Sequence, residues 1–192
     1  MKRVRLAADR SQHELSSLAN SFHSFSFGTQ IDPEWMGFYS LKVFSENFLA
    51  PNGQLSLSLT HKFLKILPLT EDLEVLCKSH GRKVLEKNVF FDLTQEQAES
   101  LSLKNSSKDE ASFFWIESQE YIEASFMTKQ EAESFAPKRS DKAFWIHLLK
   151  GKFETDSFKL DLNDGLAFDR DENLKLTCTE TGEFIWLQVP NV

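Results

Sequence analysis

Apolar and polar residues alternate at period two over several stretches of the chain. Leu55-Ser-Leu-Ser-Leu-Thr60 alternates without a break, as do Phe158-Lys-Leu-Asp-Leu162 and Leu174-Lys-Leu-Thr-Cys-Thr179. Successive side chains of an extended strand point to opposite faces, so each run predicts a strand with one buried face. Ala143-Phe-Trp-Ile-His-Leu-Leu149 and Phe113-Phe-Trp-Ile116 are denser and predict strands covered on both faces. Residues that tolerate positive φ separate these runs, at Pro51-Asn-Gly53, Ser79-His-Gly81, Asn163-Asp-Gly165 and Thr181-Gly182. Short strands at such intervals predict an all-β sandwich or barrel. Two segments depart from the pattern. Thr94-Gln-Glu-Gln97 and Thr128-Lys-Gln-Glu131 have the capping-box spacing, so short helical segments are expected near Gln95–Glu99 and Lys129–Phe135. The polar stretch 117–142 reads as a connection between two halves.

Composition supports a packed core: of 192 residues 41% are hydrophobic, and 18 are Phe, a residue that suits pleated sheets. Charge is uneven. Residues 1–70 hold seven Lys and Arg against five Asp and Glu, whereas residues 71–192 hold fifteen against 24. The acidic larger part lacks the clustered cations that binding a nucleic-acid backbone requires. No window approaches the apolar length of a membrane helix, and Lys2, Arg3 and Arg5 precede no signal-peptide core. A cytoplasmic monomer acting on a small molecule or a protein, with no nucleic acid and no membrane, is the expectation. Cys77 and Cys178 lie too far apart for a CxxC site and are expected to be reduced and buried.

Longer motifs resemble a known family. Phe22-His-Ser-Phe-Ser-Phe-Gly28, Asp32-Pro-Glu-Trp-Met-Gly-Phe38, Leu41-Lys-Val43 and Leu49-Ala-Pro51 follow one another as the opening motifs of pirins do. Asn163-Asp-Gly-Leu-Ala-Phe168, Asp171-Glu-Asn-Leu174, Gly151-Lys-Phe153 and Leu187-Gln-Val-Pro190 resemble the second barrel of the YhaK type of pirin-like protein. The resemblance implies tandem cupin barrels (RmlC-like double-stranded β-helices), with an N-terminal barrel over 1–112 and a shorter C-terminal one over 113–192. It also implies an iron site in the first barrel and, for some members, quercetin-cleaving dioxygenase activity or a nuclear cofactor role.

The resemblance further places the family's metal ligands. An H-x-H pair would fall on Ser58 and Thr60, and an H-x-E pair on Leu101 and Leu103. On a strand each pair aims two ligands to one face. Hydroxyls are poor iron ligands and leucine is none, so no cofactor is expected and these four residues should line an apolar pocket. His61, one residue out of register, is expected on the opposite face unless a bulge turns it inward. Among the other histidines, His23 reads as a structural hydrogen-bonder, His80 as a solvated turn residue and His147 as a barrel-wall residue. Cys77 is a candidate redox thiol only if Lys78 lowers its pKa. No Gly-x-Ser-x-Gly elbow or phosphate-cradling loop occurs. The leading expectation is a non-catalytic, metal-free pirin-like protein acting by ligand binding or protein contact, with regulation as one such role. The alternatives are a quercetinase-like oxygenase or another enzyme with an unrecognised site, and a binder of a small apolar or aromatic ligand within the barrel.

Overall fold

The computed structural model describes residues 2–26, 29–137, 141–169 and 174–190. Motif residues Phe27, Gly28 and 171–173 lie outside them. Among the described residues the chain forms seventeen strands and two 3-10 helices of three residues each. In chain order the strands are β1 (Lys2–Arg5), β2 (Ser11–Ser16), β3 (Ala19–His23), β4 (Leu41–Leu49), β5 (Gln54–Ser56), β6 (Phe63–Pro68), β7 (Leu73–Cys77), β8 (Gly81–Val84), β9 (Phe91–Thr94), β10 (Ser102–Asn105) and β11 (Ala111–Ser118). They continue with β12 (Glu123–Lys129), β13 (Ser134–Phe135), β14 (Ala143–Glu154), β15 (Lys159–Leu160), β16 (Gly165–Phe168) and β17 (Leu176–Val189). No helix among the described residues is long and apolar enough to cross a membrane.

The chain divides into two compact units. The first comprises Ser11–Gly37 and Leu41–Tyr121. Its six-stranded sheet runs β2-β3-β4-β11-β6-β9 and its four-stranded sheet β5-β10-β7-β8, all pairs antiparallel. Period-two alternation sets the core: Leu73, Val75 and Cys77 of β7 are buried while Glu74 and Leu76 between them are not. They meet Leu49, Leu64, Ile66, Phe113 and Trp115 of the larger sheet in one cluster.

The second unit takes residues 1–10, 38–40 and 122–192. Its sheet follows the path β1-β16-β14-β17-β12, with β13 added to β17 and β15 to β14. Register shifts between Leu148 and Phe153 bend the long β14–β17 pair. Gly151 at φ 76 lies inside that bend, where a Cβ would sit 2.6 Å from the Thr181 carbonyl. The bend wraps the sheet around Phe144, Phe153, Phe168, Phe184 and Trp186.

Three expectations need correction. The boundary at 112/113 would cut β11, which pairs with β4 and β6 along its length, and the units divide after Tyr121 instead. The 117–142 stretch accordingly opens with the buried strand residues Glu117 and Ser118 and then carries β12. The helix expected near Lys129–Phe135 is a local turn within an extended path: Ala132 adopts φ 66, and β12 before it and β13 after it pair with β17 in one continuing register. Glu133 rather than Glu131 accepts the local backbone bond, from Gln130 N at 3.0 Å. Near Gln95–Glu99 the capping box forms, with Thr94 N donating to Gln97 Oε1 and Gln97 N to Thr94 Oγ1. It closes a single turn that ends at Ser100 with φ 60, too short to become a helix.

Candidate functional site

Strands β3, β4 and β11 lie side by side, and their register brings unusual residues onto one face. His23 opposes Ser45, which opposes Trp115; Ser21 opposes Asn47, which opposes Phe113; Val43 opposes Glu117. Residues at i and i+2 share a face, and Phe113 and Trp115 belong to the core, so this face points into the barrel. Ser21, His23, Ser45, Asn47 and Glu117 form a buried polar stripe there. Against it lies a cavity of about 150 Å³, bordered on other sides by Leu15, Leu57, Ser58 and Thr60.

Glu117 organises this cavity. Its side chain is 5% exposed, and its Oε1 accepts from Trp115 Nε1 at 2.7 Å. Its Oε2 accepts from Thr60 N (2.9 Å), Thr60 Oγ1 (2.8 Å), His61 N (3.0 Å) and His61 Nδ1 (2.9 Å). Residues 57–60 make no strand ladder, although Leu57 N donates to Leu101 O. The carboxylate does the tethering that a neighbouring strand would otherwise do. His61 was expected to face away from Thr60; both side chains reach the same carboxylate oxygen. Without a ladder nothing imposes alternation on this segment.

The four positions implied for metal ligands separate. Ser58 and Thr60 border the cavity. Leu101 borders, with Ser58, a wider surface groove of about 720 Å³ that also touches Gln95, Glu96 and Glu99. Leu103 is fully buried in the core, opposite Leu55 and Val75. A single apolar pocket lined by all four is therefore not what forms: both leucines pack the core, and Leu101 alone of the two also reaches the groove beside Ser58.

The donor set does not fit the family's metal. Leu101 and Leu103 carry no lone pairs, and His61 and Glu117 supply one imidazole and one carboxylate already committed to each other. Among the described residues no group of three or more His, Cys, Asp or Glu could hold a metal ion. Iron or nickel held by a protein needs several convergent N and O ligands with supporting partners.

The remaining candidates lie apart from one another. His23 Nε2 is 2.8 Å from Ser21 Oγ, its ring meets His13 edge-on at 5.2 Å, and it borders the cavity. The Cys77 sulfur lies 3.6 Å from Ser79 Oγ and 3.8 Å from His80 Nδ1, while Lys78 turns away to pair with Glu99 at 2.6 Å. His80 also packs edge-on against Phe91. Cys178 donates to Glu180 O at 2.8 Å, and burial pushes its thiol pKa up. Both cysteines are free. His147 is fully buried in the second unit, and burial, aided by the Arg10 charge, holds its pKa well below the usual histidine value.

Sequence reasoning missed Ser45, Asn47, Trp115 and Glu117. Their signal was polar residues at i, i+2 spacing within otherwise apolar strands, visible only once the inward face was assigned.

This architecture, antiparallel barrels in tandem with the site inside the first, is that of an all-β cupin protein. Residues 103–189 match the family model described as the quercetinase C-terminal cupin domain. A protein of Pasteurella multocida (strain Pm70) named "Putative quercetin 2,3-dioxygenase PM1685" is 22% identical over 96% of this chain and 98% of its own length. The crystal structure of YhhW from Escherichia coli superposes with a TM-score of 0.84 at 17% identity, over 100% of this chain and 99% of that one. The nickel(II) complex of the same bacterial pirin gives 0.81 at 17% identity, both chains being fully covered. Escherichia coli YhaK gives 0.68 at 15% identity over 94% of this chain and 93% of that one. The chain thus has the fold of pirin-like proteins, and its C-terminal part matches the quercetinase cupin model.

Proposed function

We propose that this pirin-like protein works without a metal and without catalysing oxygenation, by binding a small molecule in its N-terminal barrel. The observation that carries the reading is the exchange of a ligand set for a structural one. Leucines stand at two ligand positions, and the one carboxylate facing the cavity is engaged by Thr60, His61 and Trp115. Size argues in the same direction. A cavity of about 150 Å³ is the size that takes benzene, and drug-sized ligands usually need roughly 300 Å³ or more. A flavonol, with its fused and pendant rings, exceeds it.

The test is metal content and turnover together. Protein produced in medium supplemented with iron, nickel, copper and zinc should carry well under one equivalent of each by elemental mass spectrometry. It should leave the quercetin absorbance unchanged with any of these ions added. Stoichiometric metal that survives chelator and disappears in His61→Ala or Glu117→Gln would overturn the reading.

A further inference from the structure

The polar stripe inside the first barrel contains one amide oxygen that accepts no hydrogen bond from the described residues. Asn47 is 3% exposed and sits on the cavity wall. Its Nδ2 donates to Ser45 O (3.1 Å), Ser45 Oγ (3.1 Å) and Phe113 O (3.5 Å). Two of these acceptors are main-chain carbonyls, so reversing the amide would set oxygen against oxygen; the orientation is fixed. Asn47 Oδ1 is left with no donor among the described residues. An amide oxygen on a cavity wall accepts from whatever fills the cavity, water or a ligand that displaces it.

We propose that this cavity is a site for a single-ring aromatic molecule bearing N–H donors, an amidine or aromatic amine, held through Asn47 Oδ1. The proposal rests on the small-molecule reading above and names the ligand class. Three features define it. The wall offers acceptors, because the Ser45 and Thr60 hydroxyls and the Trp115 N–H are committed to Trp115 O and to Glu117. Glu117 Oε1 accepts only that indole bond among the described residues and retains a lone pair, so a second acceptor is available. Leu15, Val43, Leu57 and the Trp115 ring supply apolar surface for an aromatic face, in a volume that limits the ligand to about one ring.

The Glu117 carboxylate also sets the sign of charge. An anion of the same size would meet it at close range in a poorly solvated space, whereas an N–H cation would be attracted. Ser58 and Thr60 are exposed residues on the cavity wall, so this side gives access from solvent.

Benzamidine, benzoate and toluene share one ring and differ in head group, and they make the experiment. Each is titrated into the full-length protein by calorimetry, with the indole N–H resonances followed by NMR. Benzamidine should bind saturably, at least tenfold more tightly than toluene or benzoate, and should shift one indole N–H, that of Trp115. In Asn47→Leu the benzamidine affinity should fall about tenfold or more while toluene binding does not weaken. Toluene binding as tightly as benzamidine would overturn the donor requirement and leave the small-molecule reading standing. No binding by any of the three would overturn both. Unchanged benzamidine affinity in Asn47→Leu would place the probe elsewhere and overturn the proposal. If Asn47→Leu fails to fold, the three-probe ranking and the Trp115 shift in the unsubstituted protein decide the matter.

Discussion

Replacing Glu117 by Ala should loosen the first unit more than any exposed substitution does. Among the described residues the carboxylate is the one acceptor for three fixed donors: Trp115 Nε1, Thr60 N and His61 N. The Thr60 hydroxyl and the His61 ring also lose it but can rotate toward water. Each donor orphaned out of reach of solvent costs about 1–3 kcal/mol. Trp115 is 5% exposed and bears the full penalty, whereas the two amides lie at the half-exposed edge and recover part of theirs. The net expectation is about 3 kcal/mol, a factor of about 100 or more in the unfolding equilibrium. Glu117→Gln keeps one carbonyl oxygen but turns an amide NH₂ toward a donor, so it should fall between the wild type and Glu117→Ala. Urea unfolding followed by circular dichroism measures the stability. Native-state hydrogen exchange on the peptide covering 57–63 measures whether the segment is released. A loss below about 1 kcal/mol with unchanged exchange would refute the view of Glu117 as the tether, because buried hydrogen-bonded partners cannot be removed so cheaply.

Other expectations follow from single groups. Gly165→Ala would place a Cβ 2.5 Å from two Trp145 ring atoms, in a fully buried site. It should cost about 1–3 kcal/mol, read as a lower calorimetric transition for the second unit, and an unchanged transition would contradict the packing described. His147 has its pKa lowered first by burial and then by Arg10, from a usual value of 6.5. The unfolded chain therefore takes up a proton below that value while the folded chain does not, so this contribution is intact above it and is lost as pH falls. Its slope approaches about 1.4 kcal/mol per pH unit until the folded pKa is reached. Urea midpoints at several pH values from neutral to acidic should show that slope in the wild type and a shallower one in His147→Leu; parallel curves would exclude His147 as its source.

Much of the fold was legible from local pattern alone. Period-two alternation marked β15 and the start of β17, because a strand with one buried face must alternate, and the dense apolar runs marked β11 and β14. Turn chemistry placed Asn52, Gly81 and Asn163, all at positive φ. The resemblance over 22–51 and 143–190 was likewise carried by contiguous residues. Local pattern failed where tertiary pairing overrode it. Lys129–Phe135 has helix-like spacing, but pairing of both flanks with β17 keeps it extended around one local turn. Leu55–Thr60 alternates to its end, yet only Gln54–Ser56 finds a partner strand, which frees Thr60 and His61 to reach one carboxylate.

The site divides in the same way. The sequence by itself carried the expectation that the family's metal ligands are missing, because the resemblance places two of them on Leu101 and Leu103, which cannot coordinate an ion in any geometry. It could not determine what replaced them. Glu117 stands 57 residues from Thr60 and Asn47 stands 66 residues from Phe113, so the first pair exists only once β11 lies beside β6 and the second only once β4 and β11 are in register. A cavity is a property of the faces that enclose it, and which polar residues line it depends on strand register. A shift of one residue in β4 would turn Asn47 to the other face of the sheet and present Phe48 in its place.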